Sequence, residues 1–334
     1  MKSITQKIIV FCIIPFALYA QPQRPNFLFF LVDDMGWADI GANRSTFHET
    51  PNIDRLAKQG TLFLNAHCQG PICGPSRASL LSGYYPHVTG VYQQPTGRPM
   101  EKDDTYFHGQ MVSHYFSDHG YRTLAVGKIT HGYSVQKAFD DYGGKFAGSG
   151  PKPPAGKRFN YFLPDVPWTG TQTDWGAFPE RDEDMPDHKA ADWAVERLTE
   201  KSDKPFFLAV GFVRPHTPLI VPQKYFARFP LDSIQLPDIR PDDASDTFKH
   251  SLIAKEDARG GIHGNRMHDV LVASHGGNRE LALKKFIQSY LASVASVDDL
   301  VGQVMEVVDN SSLKDNTIVI FTSDHGWGWG RRAT

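Results

Sequence analysis

Unbroken apolar runs, rather than alternating ones, mark the strand-like parts of this chain. They are residues 26–32 (Asn-Phe-Leu-Phe-Phe-Leu-Val), 122–126, 205–212 (Pro-Phe-Phe-Leu-Ala-Val-Gly-Phe) and 317–322. A strand that is apolar at successive positions has no solvent face, so each run predicts a strand buried on both sides, as in a parallel sheet. Between the runs the apolar period becomes helical. Residues 51–59 begin at Thr50-Pro51 and stop at Gly60, and residues 105–119 stop at Gly120. Residues 187–201 place Ala191, Ala194, Val195 and Leu198 on one face. Residues 279–310 carry a longer stripe, from Leu283, Phe286 and Tyr290 to Val297 and Val301. Asp298 and Asp299 are expected to face solvent or a neighbouring loop. Strands alternating with helices predict an α/β chain, with a mostly parallel sheet and helices on both faces.

The stretches without a clear period are as informative. Residues 61–66 read as extended. Residues 132–186 and 219–276 are rich in Gly, Pro and aromatics, and their length suggests functional insertions within one domain. Trp168 and Trp175 suit either sugar stacking or packing. His250, His263, His268 and His275 match no compact zinc spacing and read as scattered loop histidines.

Charge gathers where each apolar run stops. The first ends in Asp33-Asp34, whose adjacent carboxylates repel unless a cation lies between them. The second exits into Lys128 and His131, the third into Arg214 and His216, and the fourth into Asp324-His325. Ligands of parallel sheets bind outside the carboxyl ends of the strands, so these groups are expected to converge on one rim.

A cysteine opens a short predicted helix in Cys73-Gly74-Pro75-Ser76-Arg77, followed by Leu80, Leu81 and Gly83. Pro75 suits a first turn and Gly83 a stop. Cys73 would then lie at the positive helix end with Arg77 facing back towards it, a setting that favours a thiolate or a bound oxyanion. A buried structural cysteine before an ordinary helix is the other reading that these residues allow.

Composition narrows the picture. The chain has 334 residues, 40% hydrophobic and 22% charged, with net charge −2, which predicts no nucleic-acid footprint. Lys2 and Lys7, the apolar residues 8–18 and Ala20 before Gln21 read as a secretory signal over residues 1–20, cleaved near Ala20. The run is too short for a membrane span, so an exported, periplasmic or secreted protein is expected, free of the membrane after cleavage. Cys12 lies in that segment without the flanks of a lipoprotein site. Cys68 and Cys73 remain, too few for a disulfide scaffold, and a bridge between them is not expected.

The motif Cys-x-Pro-Ser-Arg followed by Leu-Leu-x-Gly resembles the signature of the type I sulfatases. The resemblance covers residues 25–330 and is strongest to the iduronate-2-sulfatase branch. It implies an alkaline-phosphatase-like, three-layer α/β/α sandwich. It also implies that Cys73 is oxidised to formylglycine by a maturation enzyme, and that its hydrate attacks a sulfate ester. One divalent cation, calcium or alternatively Mg2+ or Mn2+, would be held by Asp33, Asp34, oxidised Cys73, Asp324 and His325. The wider family has Asn at the last place, and this branch has His. Arg77 and Lys128 would stabilise oxyanion charge, His216 in Arg-Pro-His-Thr-Pro would protonate the leaving group, and His131 would act as base. The family continues with a sulfate-binding lysine and an antiparallel C-terminal subdomain. Here nine residues follow His325, without lysine, so the resemblance implies a truncated catalytic domain, with Arg331 or Arg332 as weak substitutes. The substrate would be a sulfated carbohydrate, as in glycosaminoglycan or polysaccharide degradation, or another small sulfate ester such as choline sulfate. A phosphonate monoester hydrolase or phosphodiesterase of the same superfamily, and a non-catalytic glycan-binding relative, are the competing readings.

Overall fold

In the computed structural model the apolar runs pair side by side. The structure describes residues 24–43, 49–94, 111–132, 136–146, 150, 174–236, 268 and 271–326. Residues 1–20, read above as a secretory signal and containing Cys12, lie outside the described residues, as do Trp168, His250, His263, Arg331 and Arg332. Its strands are β1 (Asn26–Asp33), β2 (Arg122–Gly127), β3 (Asp141–Tyr142), β4 (Trp175–Ala177), β5 (Phe206–Pro215), β6 (Leu219–Val221) and β7 (Thr317–Ser323). Its α-helices are α1 (Pro51–Gln59), α2 (Cys73–Ser82), α3 (Pro86–Thr89), α4 (Val112–Asp118), α5 (Pro186–Thr199), α6 (Gln223–Phe226) and α7 (Arg279–Asp309). Among the described residues no helix is long and apolar enough to cross a membrane.

Five strands form one parallel sheet in the order β3-β2-β5-β1-β7, and β4 and β6 form a small parallel pair. All ten residues of β5, inside the sheet, are buried. Strand pleating sends alternate side chains to opposite faces. Leu28, Phe30 and Val32 of β1 therefore join the core under α1, α5 and α7, while Phe29 and Leu31 join the core under α2 and α4. Burying each such side chain contributes about 1.5–3 kcal/mol, so an apolar run serves two cores at once. This is the α/β/α sandwich.

Local differences from the sequence reading have physical causes. The run at 317–322 is not buried on both sides, because β7 lies at an edge of the described sheet. Val319 and Phe321 pack on the core, but Ile318 and Ile320 are 45% and 41% exposed. An apolar groove of about 670 Å3 runs beside this strand, lined in part by Trp37, Leu62, Phe63 and Phe321. Residues 61–66 form no strand. Trp175 is a packing residue: it is buried, and its ring stacks on His275 and meets Phe286 edge-on.

Asp298 does not face solvent. It is fully buried and caps α1 from across the fold. Its carboxylate accepts from the Asn52 and Ile53 backbone N–H groups at 3.2 and 2.8 Å, and from Asn52 Nδ2 at 2.9 Å. Helix starts leave N–H donors unpaired, and the Thr50 side chain makes no capping bond. Gly302 permits this approach, since a Cβ there would meet the Asn52 side chain at 2.7 Å. Asp299 instead pairs with Arg228.

Replacing Asp298 with Ala strands three donors, the Ile53 N–H in a buried position, and is predicted to cost roughly 2–3 kcal/mol of folding stability. Urea unfolding measures this, and a loss below about 0.5 kcal/mol would mean that the cap contributes nothing.

Candidate active site

Two acids at the end of β1 differ sharply in their surroundings. Asp33 is fully buried. Burial alone would raise its pKa, but Lys128 and Arg77 beside it hold the carboxyl well below the usual carboxylate range. Asp34 turns out of the strand with φ of 66°, a left-handed conformation that non-glycine residues seldom adopt. Three contacts over-determine that turn. Asp34 N donates to Asp324 Oδ1 at 3.2 Å, Met35 N donates to Ser323 Oγ at 3.1 Å, and the buried Tyr290 hydroxyl lies 3.0 Å from the Asp34 carbonyl. Asp39 meets the same hydroxyl and accepts from Gly36 N at 2.6 Å. Burial raises the Asp34 carboxyl pKa, and neighbouring Asp33 and Asp324 add to that against the pull of His216 and His325.

Parallel pairing of β1 with β7 brings Asp324 alongside. Arg77, from α2, closes the group. Guanidinium carries five N–H donors, and five acceptors surround it. Nε donates to Asp324 Oδ2 at 2.7 Å, Nη2 to Asp33 Oδ1 at 3.1 Å and to the Val32 carbonyl, and Nη1 to the Lys128 and Ile129 carbonyls. Its side chain has no solvent exposure. Burial opposes the charge, but Asp324 and Asp33 more than offset it and raise the pKa. Arg77 therefore grips the acids, with its donors already occupied.

Cys73 is the first residue of α2, and Gly83 ends that helix with φ of 75°, donating to the Ser79 carbonyl. Of the two anions that the helix start suggested, a thiolate or a bound oxyanion, the thiolate is not favoured. Burial first, then Asp33, Asp324 and Asp34, push the thiol up to about 12 against the pull of Lys128. The sulfur lies 3.2 Å from His325 Nε2, and His325 Nδ1 lies 3.1 Å from Asp34 Oδ1.

Lys128 follows β2 where the chain passes very close to β5. Lys128 N donates to the Gly211 carbonyl at 2.9 Å, and a Cβ on Gly211 would stand 2.2 Å from the Lys128 carbonyl. That approach aims the ammonium at Asp33 Oδ2. Further on, His131 is half-buried. Burial and then Lys128 push its imidazole down to about 4, so it is neutral at physiological pH. Its Nδ1 is buried without a hydrogen-bond partner among the described residues. His216, beyond β5, points Nε2 towards Asp34 Oδ2 at 3.7 Å.

Thus Asp33, Asp34, Cys73, Arg77, Lys128, His131, His216, Asp324 and His325 all lie at one rim. The carboxylate oxygens of Asp33, Asp34 and Asp324 fall within 4.8 Å of one another, as do donors of Asp34, Cys73 and His325. Three converging carboxylates, one with a raised pKa, fit a hard divalent cation. Sequence reasoning missed Tyr290, Asp39 and Asp187. Tyr290 reads as one more residue of an apolar helical stripe, and only the packing of α7 brings it to Asp34.

A family model described as Sulfatase matches residues 25–333. A protein named Sulfatase from Formosa agariphila is 39% identical over 322 residues, covering 93% of this chain and 60% of that protein. Iduronate 2-sulfatase from Mus musculus is 31% identical over 316 residues, covering 91% and 55%. The chain thus spans little more than half the length of these relatives. The fold also matches the solved phosphonate monoester hydrolase of Agrobacterium radiobacter, with a TM-score of 0.65 at 20% identity, covering 93% of this chain and 64% of that one.

Replacing Arg77 with Met would leave Asp33 and Asp324 buried with half their partners gone. The predicted cost is about 3–5 kcal/mol of folding stability, read by denaturant titration. A near-neutral effect would contradict the grip described here.

Proposed function

The chain belongs to the sulfatase family, and from that premise we propose that it hydrolyses sulfate esters at the Asp33–Cys73–Asp324 rim. The observation that carries this reading is the overlap of two clusters, Asp33–Asp34–Asp324 and Asp34–Cys73–His325, beside Lys128, His131 and His216. A divalent cation held by Asp33, Asp34, Asp324, His325 and position 73 would supply Lewis-acid charge to the sulfuryl oxygens. Formylglycine at position 73, made from Cys73 by a maturation enzyme, would supply the nucleophilic hydroxyl.

The chain's own groups do the rest. Lys128, its side chain 12% exposed, offers positive charge to the developing oxyanion. Arg77 acts from behind, holding Asp33 and Asp324 in register while their charge faces the cation. His216, as the imidazolium, donates a proton from Nε2 to the departing alkoxide and is left as the neutral ring whose Nδ1 proton stays on the Thr217 carbonyl. His131, kept neutral by burial and Lys128, offers a ring nitrogen as base when sulfate is released. Calcium fits the three carboxylates best, and the imidazole of His325 equally suits Mn2+. The relation to iduronate 2-sulfatase supports a sulfated carbohydrate as substrate, and residues 1–20 support export.

The test uses the chain coexpressed with a formylglycine-generating enzyme. Turnover of an aryl sulfate is predicted, at least about 100-fold above that of a phosphonate monoester. Replacing Cys73 with Ala is predicted to lower it at least about 1000-fold. Undiminished activity in that variant, or preference for the phosphonate, would overturn the reading. Peptide mass spectrometry at position 73 checks that maturation occurred.

A further inference from the structure

The turn that carries His216 is tied down by two buried charged residues, Asp187 and Arg214. Asp187 is the second residue of α5, and 4% exposed. Its two carboxylate oxygens accept from the backbone N–H groups of Val213 and Arg214, both at 2.8 Å. Arg214, 1% exposed, sends its guanidinium forward across the turn. Nη1 donates to the His216 carbonyl at 2.7 Å, and Nε donates to the Ile220 carbonyl at 3.2 Å on the returning strand β6. His216 N closes the loop by donating to the Val213 carbonyl at 2.9 Å.

We infer that Arg214 and Asp187 are positioning residues for His216, fixing the turn so that its imidazole keeps one tautomer with Nε2 facing the acids. The inference rests on His216 being the proton donor proposed above. The chain of contacts is continuous. Asp187 fixes where β5 ends, Arg214 bridges that end to β6, and its fork terminates on the His216 carbonyl. The Thr217 carbonyl then lies 2.5 Å from Nδ1 and can only accept, so Nδ1 is the nitrogen that keeps its proton when Nε2 gives one up. The other nitrogen is left open towards Asp34, 3.7 Å away. Burial raises the pKa of Asp187 and lowers that of Arg214, and each offsets the other's cost only in part. An apolar pair would pack there without that cost but would hold neither carbonyl.

Two readouts separate positioning from simple support of the fold. The first is leaving-group dependence. A proton donor matters for a strongly basic alkoxide and little for 4-nitrophenolate. In Arg214→Met, kcat on an alkyl or sugar sulfate is expected to fall about 100-fold. On 4-nitrophenyl sulfate, kcat and KM are expected to change less than about threefold. His216→Gln should lose at least as much on the alkyl or sugar sulfate. Equal losses on both substrates, or none, would overturn the inference.

The second readout needs no turnover. With 15N-labelled histidine in the full chain, the His216 signals are identified by their loss in His216→Gln. Wild type is expected to show one neutral tautomer, with Nδ1 protonated, and Arg214→Met a mixture. A mixture in wild type, or an unchanged single tautomer in the variant, would overturn the inference even if the chain turns over no sulfate ester. Asp187→Asn, which keeps one backbone acceptor, should give the same direction at smaller amplitude if Arg214→Met does not fold.

Discussion

Arg77 is the group on which the site depends. One buried guanidinium meets carboxylates from two strands and carbonyls from two chain segments, using all five donors. Without it, Asp33 and Asp324 would be buried like charges at the ends of adjacent strands. With it, they are fixed at a separation suited to a shared cation. The same contact joins α2 to the sheet and so sets where Cys73 stands. The residue at position 73 and the acids are therefore positioned by one side chain.

The sheet supplies the rest of the geometry. β1 has β5 on one side and β7 on the other, all parallel, so Asp33, Arg214 and Asp324 emerge on one edge. β2, paired to β5 on its far side, brings Lys128 to the same edge. Apolar runs make this possible, because strands buried on both faces can be flanked by strands and covered by helices. The polar residues are thereby confined to the strand ends. There the electrostatics are mixed: acids hold Arg77 charged, burial and the acids keep the Cys73 thiol protonated, Lys128 keeps Asp33 ionised, and burial with Lys128 keeps His131 neutral.

Much of this was legible in the sequence, for a physical reason. Unbroken apolar runs have few other fates than strands of a parallel sheet, and the dipeptides that end them must leave at its rim. Asp33-Asp34, Lys128, His216 and Asp324-His325 were found that way. What could not be read is what depends on neighbours from elsewhere in the chain. The apolar run of β7 does not disclose that the strand lies at an edge. Asp298 looks like a surface acid until α1 presents its unpaired N–H groups. Tyr290 looks like core until its hydroxyl meets Asp34, and the helix start at Cys73 suggests a thiolate or a bound oxyanion until burial and three acids disfavour the thiolate.

Asp33, Asp34, Asp324, His325 and position 73 are proposed to share a single cation. Crystals of the chain grown with a divalent cation, and mapped by anomalous scattering, test this. One strong peak is expected within roughly 2.5 Å of oxygens from Asp33, Asp34 and Asp324. A peak elsewhere, with those carboxylates unliganded, would contradict it.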